Sequence, residues 1–283
     1  MKQRIITGVI FTLAILAFII PAFYFVGFAV ALTTIVAAIT AQEMANALRA
    51  KGLRHVRVLT YFGAAFALIP VVLFAFTNSP YVAFTIYSLS ILIYAMTTVI
   101  LPQLMSASDG TVAEGIAVAG TSIYLSFPLA CANTAVLFIR NGWLFFVLGL
   151  FAPWISDVFA YFTGVLFGKN KIVPHISPKK TWEGCIGGAV GCAAVIATVF
   201  SLVIYPNIET RLSFPVFLTV SILVGILLSV VSQLGDWTAS AIKRWAGIKD
   251  FGTLLPGHGG VLDRFDSAFF TLPIAFAFGL LLV

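Results

Sequence analysis

Between Ser240 and Asp266 the chain concentrates residue types that handle phosphates and metal ions: Ser240, Lys243, Arg244, Lys249, Asp250, Gly252, Asp263, Arg264 and Asp266, with the turn Pro256-Gly257-His258-Gly259-Gly260. This stretch carries four of the sixteen basic residues and three of the ten acidic ones. Carboxylates are the hard oxygen donors that Mg²⁺ takes together with substrate phosphates, and Lys and Arg neutralise the remaining phosphate charge. The glycine turn lets a backbone approach a ligand closely. Asp263 and Asp266 are three residues apart, so a last helix beginning near Leu262 puts both on one face. Its N-terminal end also favours carboxylates. Upstream, Gln233-Leu234-Gly235-Asp236 sets another carboxylate at the end of an apolar run, where ionisable groups are costly and usually functional. Asp263, Arg264 and Asp266 alone read equally well as a helix cap with an ion pair at a membrane interface. With Asp236, Lys243, Lys249 and the glycine turn beside them, the reading as a site prevails.

A second constellation runs from Ser156 to Gly184. Asp157 lies in a strongly apolar stretch and needs a partner or a polar cavity; Tyr161 follows one turn later on the same face. Ser177-Pro178-Lys179-Lys180-Thr181 puts two cations and two hydroxyls just before the next helix, an arrangement able to hold phosphate oxygens. By themselves Lys179 and Lys180 read as topology-setting charges, and His175 as an ordinary loop histidine. His258, between two glycines, is the better candidate. Cys131, Cys185 and Cys192 have neither CxxC spacing nor paired histidines, so they read as packing residues.

The elements that must position these residues are membrane helices. The chain is 61% hydrophobic and 9% charged, with a mean hydropathy of +1.08, where a soluble domain carries about a quarter charged residues. A span needs about 20 mostly apolar residues. Nine stretches qualify, at about 5–21, 22–41, 58–76, 82–101, 117–138, 143–168, 186–205, 214–236 and 267–283. The expected fold is an all-α polytopic transmembrane bundle of about nine spans, its N-terminus cytoplasmic and its C-terminus outside. This orientation puts fourteen of the sixteen basic residues on the cytoplasmic side and leaves only Arg140 and Arg211 outside, a strong positive-inside bias. The net charge of +6 therefore reports topology and not nucleic-acid binding. The first apolar run follows Lys2 and Arg4 without an A-x-A cleavage pattern, so it is expected to be a retained helix. The soluble parts are expected in three cytoplasmic loops, about 42–57, 169–185 and 237–266. The first reads as an amphipathic or merely basic connector at the lipid surface, and 102–116 as a loop without basic residues. A single membrane domain spans 1–283, with 1–145 free of motifs and 146–283 holding the catalytic helices and cytoplasmic loops.

From roughly 150 to 283 the chain resembles the phosphatidate cytidylyltransferases, also called CDP-diacylglycerol synthases. The S-x-x-K-R, K-D-x-G, H-G-G and D-R-x-D elements stand here as Ser240/Lys243/Arg244, Lys249/Asp250/Gly252, His258/Gly259/Gly260 and Asp263/Arg264/Asp266. Ser156-Asp157 and Ser177-Pro-Lys-Lys-Thr-x-Glu-Gly184 are similar as well. The resemblance implies that CTP and phosphatidate give CDP-diacylglycerol and pyrophosphate, in phospholipid synthesis. The compact length without soluble extensions makes the cytoplasmic (inner) membrane the expected location, with the endoplasmic reticulum left open. The resemblance implies a homodimer too. For that chemistry Asp236, Asp263 and Asp266 are the expected Mg²⁺ ligands, with a second cation left open. Lys243, Arg244, Lys249 and Arg264 are expected on phosphates; Asp157, Tyr161, Ser177, Lys179, Lys180, Thr181, His258, Gly259 and Gly260 belong to the substrate region. Two other readings stay open: a cytidylyltransferase acting on another lipid phosphate, and a secondary transporter using Asp157 and Asp236 as ion ligands.

Overall fold

The computed structural model describes the chain apart from Met1, Arg54, His55, residues 106–108 and 174–176, Ile208, Glu209, Arg211 and Val283, and the side chains of a few neighbouring residues. His175, Arg54, Arg211 and the side chains of Lys2, Arg4, Arg57 and Ser177 therefore lie outside the described residues.

Helices dominate, as they must where no water is present to satisfy a backbone. They are α1 (Lys2–Ala22), α2 (Gly27–Ala50), α3 (Val56–Ala65), α4 (Ile69–Leu73), α5 (Pro80–Met105), α6 (Asp109–Phe138), α7 (Gly142–Phe167), α8 (Trp182–Val199), α9 (Phe214–Ala246), α10 (Leu262–Phe265) and α11 (Ala268–Leu282). Among the described residues six helices are long and apolar enough to cross a membrane: Gly27–Ala50, Pro80–Ile100, Val112–Phe138, Gly142–Phe167, Trp182–Asn207 and Phe214–Ala246. Three further apolar helices, Ile6–Ala22, Val58–Leu73 and Ala268–Leu282, are shorter. Many large apolar side chains face outward, such as Ile10 and Leu13 on α1 and Leu89, Ile93 and Met96 on α5. Such surfaces suit lipid as the surrounding solvent.

Three expectations need correction. Residues 42–50 are the last turns of α2, not part of a loop. The stretch 102–116 is largely helical, with α5 running to Met105 and α6 starting at Asp109. The segment before α8 is an antiparallel hairpin, β1 (Lys171–Val173) paired with β2 (Ser177–Thr181).

The chain divides into two compact units, Met1–Phe138 with Lys243–Phe265, and Ile139–Ile242 with Asp266–Val283. In the first unit Asn133 holds α2 and α6 together: it accepts from the Thr33 hydroxyl (2.7 Å) and donates to the Ala67 carbonyl (2.9 Å). That carbonyl lies in the 3₁₀ turn Phe66–Leu68 between α3 and α4, where regular helix bonding lapses and an outside donor must replace it. Glycines end α2 and α9 in the same manner. Gly52 (φ +99°) and Gly247 (φ +73°) are left-handed, and Leu53 and Ile248 donate back to the Leu48 and Lys243 carbonyls. This closes the last carbonyls of each helix.

In the second unit α7 and α8 approach closely because α8 offers Gly184, Gly187, Gly188 and Gly191. A Cβ on Gly184 would stand 2.9 Å from the Ala160 carbonyl, and one on Gly188 3.0 Å from that of Ser156. Small residues at this spacing are how helices pack where the hydrophobic effect gives them no drive. A polar seam joins α7, α8 and α9: the Ser156 and Ser229 hydroxyls share a bond of 2.6 Å, and the Gln233 amide donates to Ser229 and to the Cys185 carbonyl. Pro153 lacks the N–H that would bond the Gly149 carbonyl one turn back. The Thr271 hydroxyl of α11 donates to that carbonyl instead.

Candidate functional site

Asp263 is the centre of the first unit's polar cluster. Its Oδ1 accepts from the Lys243 ammonium at 2.6 Å, and its Oδ2 accepts from the backbone N–H of Phe251 (2.8 Å) and Gly260 (2.9 Å). The pair is largely withdrawn from solvent, the aspartate side chain being 4% and the lysine 12% exposed. Both oxygens of the carboxylate are thus engaged, and the desolvated ion pair is sustained by the two extra hydrogen bonds. Lys243 also lies 5.3 Å over the Phe251 ring. It comes from the last turn of α9, a helix of 33 residues. At 1.5 Å per residue that is about 50 Å, well beyond the ~30 Å hydrocarbon core, so its end can carry charge.

The glycine turn is built for this cluster. Leu255 donates to the Gly259 carbonyl and His258 to that of Leu255, with Gly257 (φ +76°) and Gly259 (φ +83°) left-handed. A Cβ on Gly259 would meet Asp263 Oδ2 at 2.8 Å. Arg264 grips the turn with a fork, Nε and Nη2 donating to the His258 carbonyl at 3.1 and 2.8 Å. His258 Nδ1 is buried without a hydrogen-bond partner among the described residues. Arg244 donates weakly to the Ile248 carbonyl, and Lys249 and Asp250 are exposed.

Glu43 was not foreseen. It lies near the end of α2 and is buried, and its two carboxylate oxygens accept from the backbone N–H of Val261 (2.9 Å) and Leu262 (2.7 Å). It thereby satisfies the first free donors of α10, just before Asp263. Gly252 and Gly260 pack so closely that a Cβ on either would overlap its carboxylate. One signal was available: Gln42, Glu43 and Asn46 interrupt an otherwise apolar helix, and a carboxylate in such a place needs a reason. A cleft of about 810 Å³ opens beside it, lined by Ala38, Ile39, Gln42, Asn46, Tyr61 and residues 250–254.

The second unit holds the other predicted residues. Lys180 forms an ion pair with Asp236 and lies 5.9 Å over the Trp237 ring. Both charged side chains are partly exposed, at 24% and 32%. Thr181 is buried and caps α8, its hydroxyl accepting from the Gly184 N–H at 3.2 Å. Glu183 accepts from the Asn170 backbone and amide and fastens the hairpin. Lys179 is exposed on β2, and Asp157 and Tyr161 lie on an exposed face of α7.

Asp266 departs from expectation. The chain turns at Asp266 and Ser267, between α10 and α11, so Asp263 and Asp266 do not share the face of one helix. Asp266 is buried and accepts from the Ser267 N–H at 2.6 Å. Asp263 belongs to the first unit, Asp236 and Asp266 to the second. Among the described residues no three His, Cys, Asp or Glu side chains gather into a protein-only metal shell. Mg²⁺ does not require one, since it is usually held by one or two carboxylates and substrate phosphates. Asp263 already uses both oxygens, so a cation there would have to take the place of the Lys243 ammonium or of a backbone N–H.

These features define a class: a helical membrane protein that sets a lysine–aspartate pair beneath a glycine-rich turn. The chain belongs to the cytidylyltransferase family, whose profile matches residues 2–282. It is similar to the phosphatidate cytidylyltransferase of Bacillus subtilis, 46% identical over 123 residues that cover 44% of this chain and 42% of that protein. The protein of the same name from Staphylococcus haemolyticus is 43% identical over 136 residues, 48% of this chain and 49% of the other. That from Brucella abortus is 41% identical over 170 residues, 60% and 57%. The matched part of the chain thus spans about half the length of these curated relatives.

Proposed function

We propose that this protein transfers the cytidylyl group of CTP to phosphatidate, forming CDP-diacylglycerol and releasing pyrophosphate. A phosphatidate oxygen attacks the α-phosphorus, and the bond to the pyrophosphate oxygen breaks. No general base is needed, because the attacking phosphate is already an anion. Such a step asks the protein mainly for positioning and charge neutralisation. The observation that carries the reading is the Asp263–Lys243 pair, fixed by the N–H groups of Phe251 and Gly260, in a chain that belongs to the cytidylyltransferase family. The names of its relatives support the choice of substrates.

In this proposal Lys243, Lys249 and Arg244 neutralise phosphate charge, with Lys179 and Lys180 in the same substrate region. Arg264, already committed to the His258 carbonyl, acts by holding the turn. Asp236, Asp263 and Asp266 are the oxygen donors proposed for Mg²⁺ and any second cation. When bound, Mg²⁺ would shield the phosphates and withdraw charge from the leaving group. The membrane reading is extended likewise: nine spans with the N-terminus cytoplasmic and the C-terminus outside, in the cytoplasmic membrane, with the site facing the cytoplasm and two copies forming a dimer. The excess of basic residues on one side supports the orientation.

The test is incorporation of label from α-³²P CTP into a chloroform-soluble product by the full chain in phosphatidate-containing vesicles, with and without Mg²⁺. Mg²⁺-dependent labelled lipid is the expected result. Its absence from a folded preparation would reject the transferase reading.

A further inference from the structure

We propose that the cleft between α2, α3 and the segment 250–254 receives the nucleoside end of CTP and reads its base; the proposal rests on the transferase reading above. The cleft's volume, about 810 Å³, lies in the ordinary range of small-ligand sites. Its lining contains no lysine or arginine, while Glu43 and Asp250 contribute carboxylates. A triphosphate or a lipid phosphate would be repelled there. An uncharged polar group is not.

The lining is a hydrogen-bonding array with apolar patches. The Tyr61 hydroxyl donates to the Gln42 side-chain oxygen Oε1, and the Gln42 side-chain amide nitrogen donates to Asn46 Oδ1 at 3.0 Å. With its Oδ1 engaged by Gln42, Asn46 has the N–H groups of its amide to offer a ligand in the cleft. Asp250 and Thr253 come from the other side, and Ala38, Ile39 and Leu254 provide apolar surface. The Watson–Crick edge of cytosine presents an amine beside two acceptors, and a carboxylate accepts from that amine. Asn46 as donor and Asp250 as acceptor match this edge; uracil, with a carbonyl in place of the amine, does not.

The cleft also adjoins the right neighbour. Phe251 lines it, while the N–H of the same residue bonds Asp263 and its ring lies beneath Lys243. A nucleoside in the cleft would leave its phosphates beside Lys249 and the Asp263–Lys243 pair.

Asn46→Ala and Thr253→Val both alter exposed positions of the cleft, and either variant suffices should the other fail to fold. With the full chain in phosphatidate vesicles, each is expected to raise KM for CTP roughly tenfold, the usual effect of losing one ligand hydrogen bond. The preference for CTP over UTP should fall in Asn46→Ala, and KM for phosphatidate should hold. Unchanged CTP KM and base preference in both variants would overturn the proposal. So would a rise confined to phosphatidate, which would assign the cleft to the lipid headgroup. If the parent protein makes no labelled lipid, the transferase reading fails separately, and binding of radiolabelled cytidine then decides: retention by the parent and loss in Asn46→Ala supports the subsite, and no binding by the parent overturns it.

Discussion

Replacing Glu43 by alanine removes both acceptors that hold Val261 and Leu262. A buried N–H left without a partner costs about 1–3 kcal/mol, and removal of a buried carboxylate returns part of its desolvation cost. The balance is a loss of about 2–4 kcal/mol, which in a chain of this size lowers Tm by roughly 5–10 °C. Glu43→Gln keeps one acceptor but turns an amine toward the other N–H, so its loss should be about half as large. Cys131 is buried in the same unit. With Cys185 and Cys192 replaced by alanine, a thiol-reactive dye followed on heating in detergent would report that unit's unfolding. Label incorporation should fall in parallel, because the segment Glu43 fixes leads directly into Asp263. An alanine variant that melts within about 1 °C of the parent would refute the reasoning, since losses of 2 kcal/mol or more cannot leave Tm in place.

Lys243→Met leaves Asp263 buried without its cation, and breaking such a pair from one side costs about 3–5 kcal/mol; labelled-lipid formation should drop at least a hundredfold, as it should in Asp263→Asn. Gly259→Ala combines a left-handed backbone with a Cβ 2.8 Å from Asp263, whereas Gly247→Ala has the same backbone in open space. By denaturation in detergent the second should cost about 1 kcal/mol and the first clearly more. Thr271→Val strands the Gly149 carbonyl, at about 1–2 kcal/mol. In a Pro153→Ala background the restored N–H should reduce that penalty, which a double-mutant cycle would show.

Much of this was legible in the sequence. Each apolar stretch expected as a span contains a helix, six of them long enough to cross a membrane among the described residues and three shorter, because hydropathy alone marks segments that avoid water. The resemblance in the last half of the chain was likewise sufficient for the family. Lys243 and Asp263 stood out through charge and spacing, and they do form a pair. For other residues the pattern left open which partner the side chain takes. Thr181, expected in the substrate region, caps α8 through the Gly184 N–H, and Arg264, expected on phosphate, donates to the His258 carbonyl. The single last helix imagined from Leu262 onward is broken at Asp266.

Residue types by themselves determined that the chain is helical and lipid-facing, and that its polar chemistry concentrates near Ser240–Asp266. Those properties follow from composition and short-range spacing, which act on any chain locally. Only the tertiary structure decided what holds that segment in place. The carboxylate that seats it belongs to Glu43, 218 residues away in the chain from Val261, in a half that carries no recognisable motif. Hydrogen bonds to backbone N–H groups demand no particular side chain at the other end, so nothing in the sequence of the loop marks its partner.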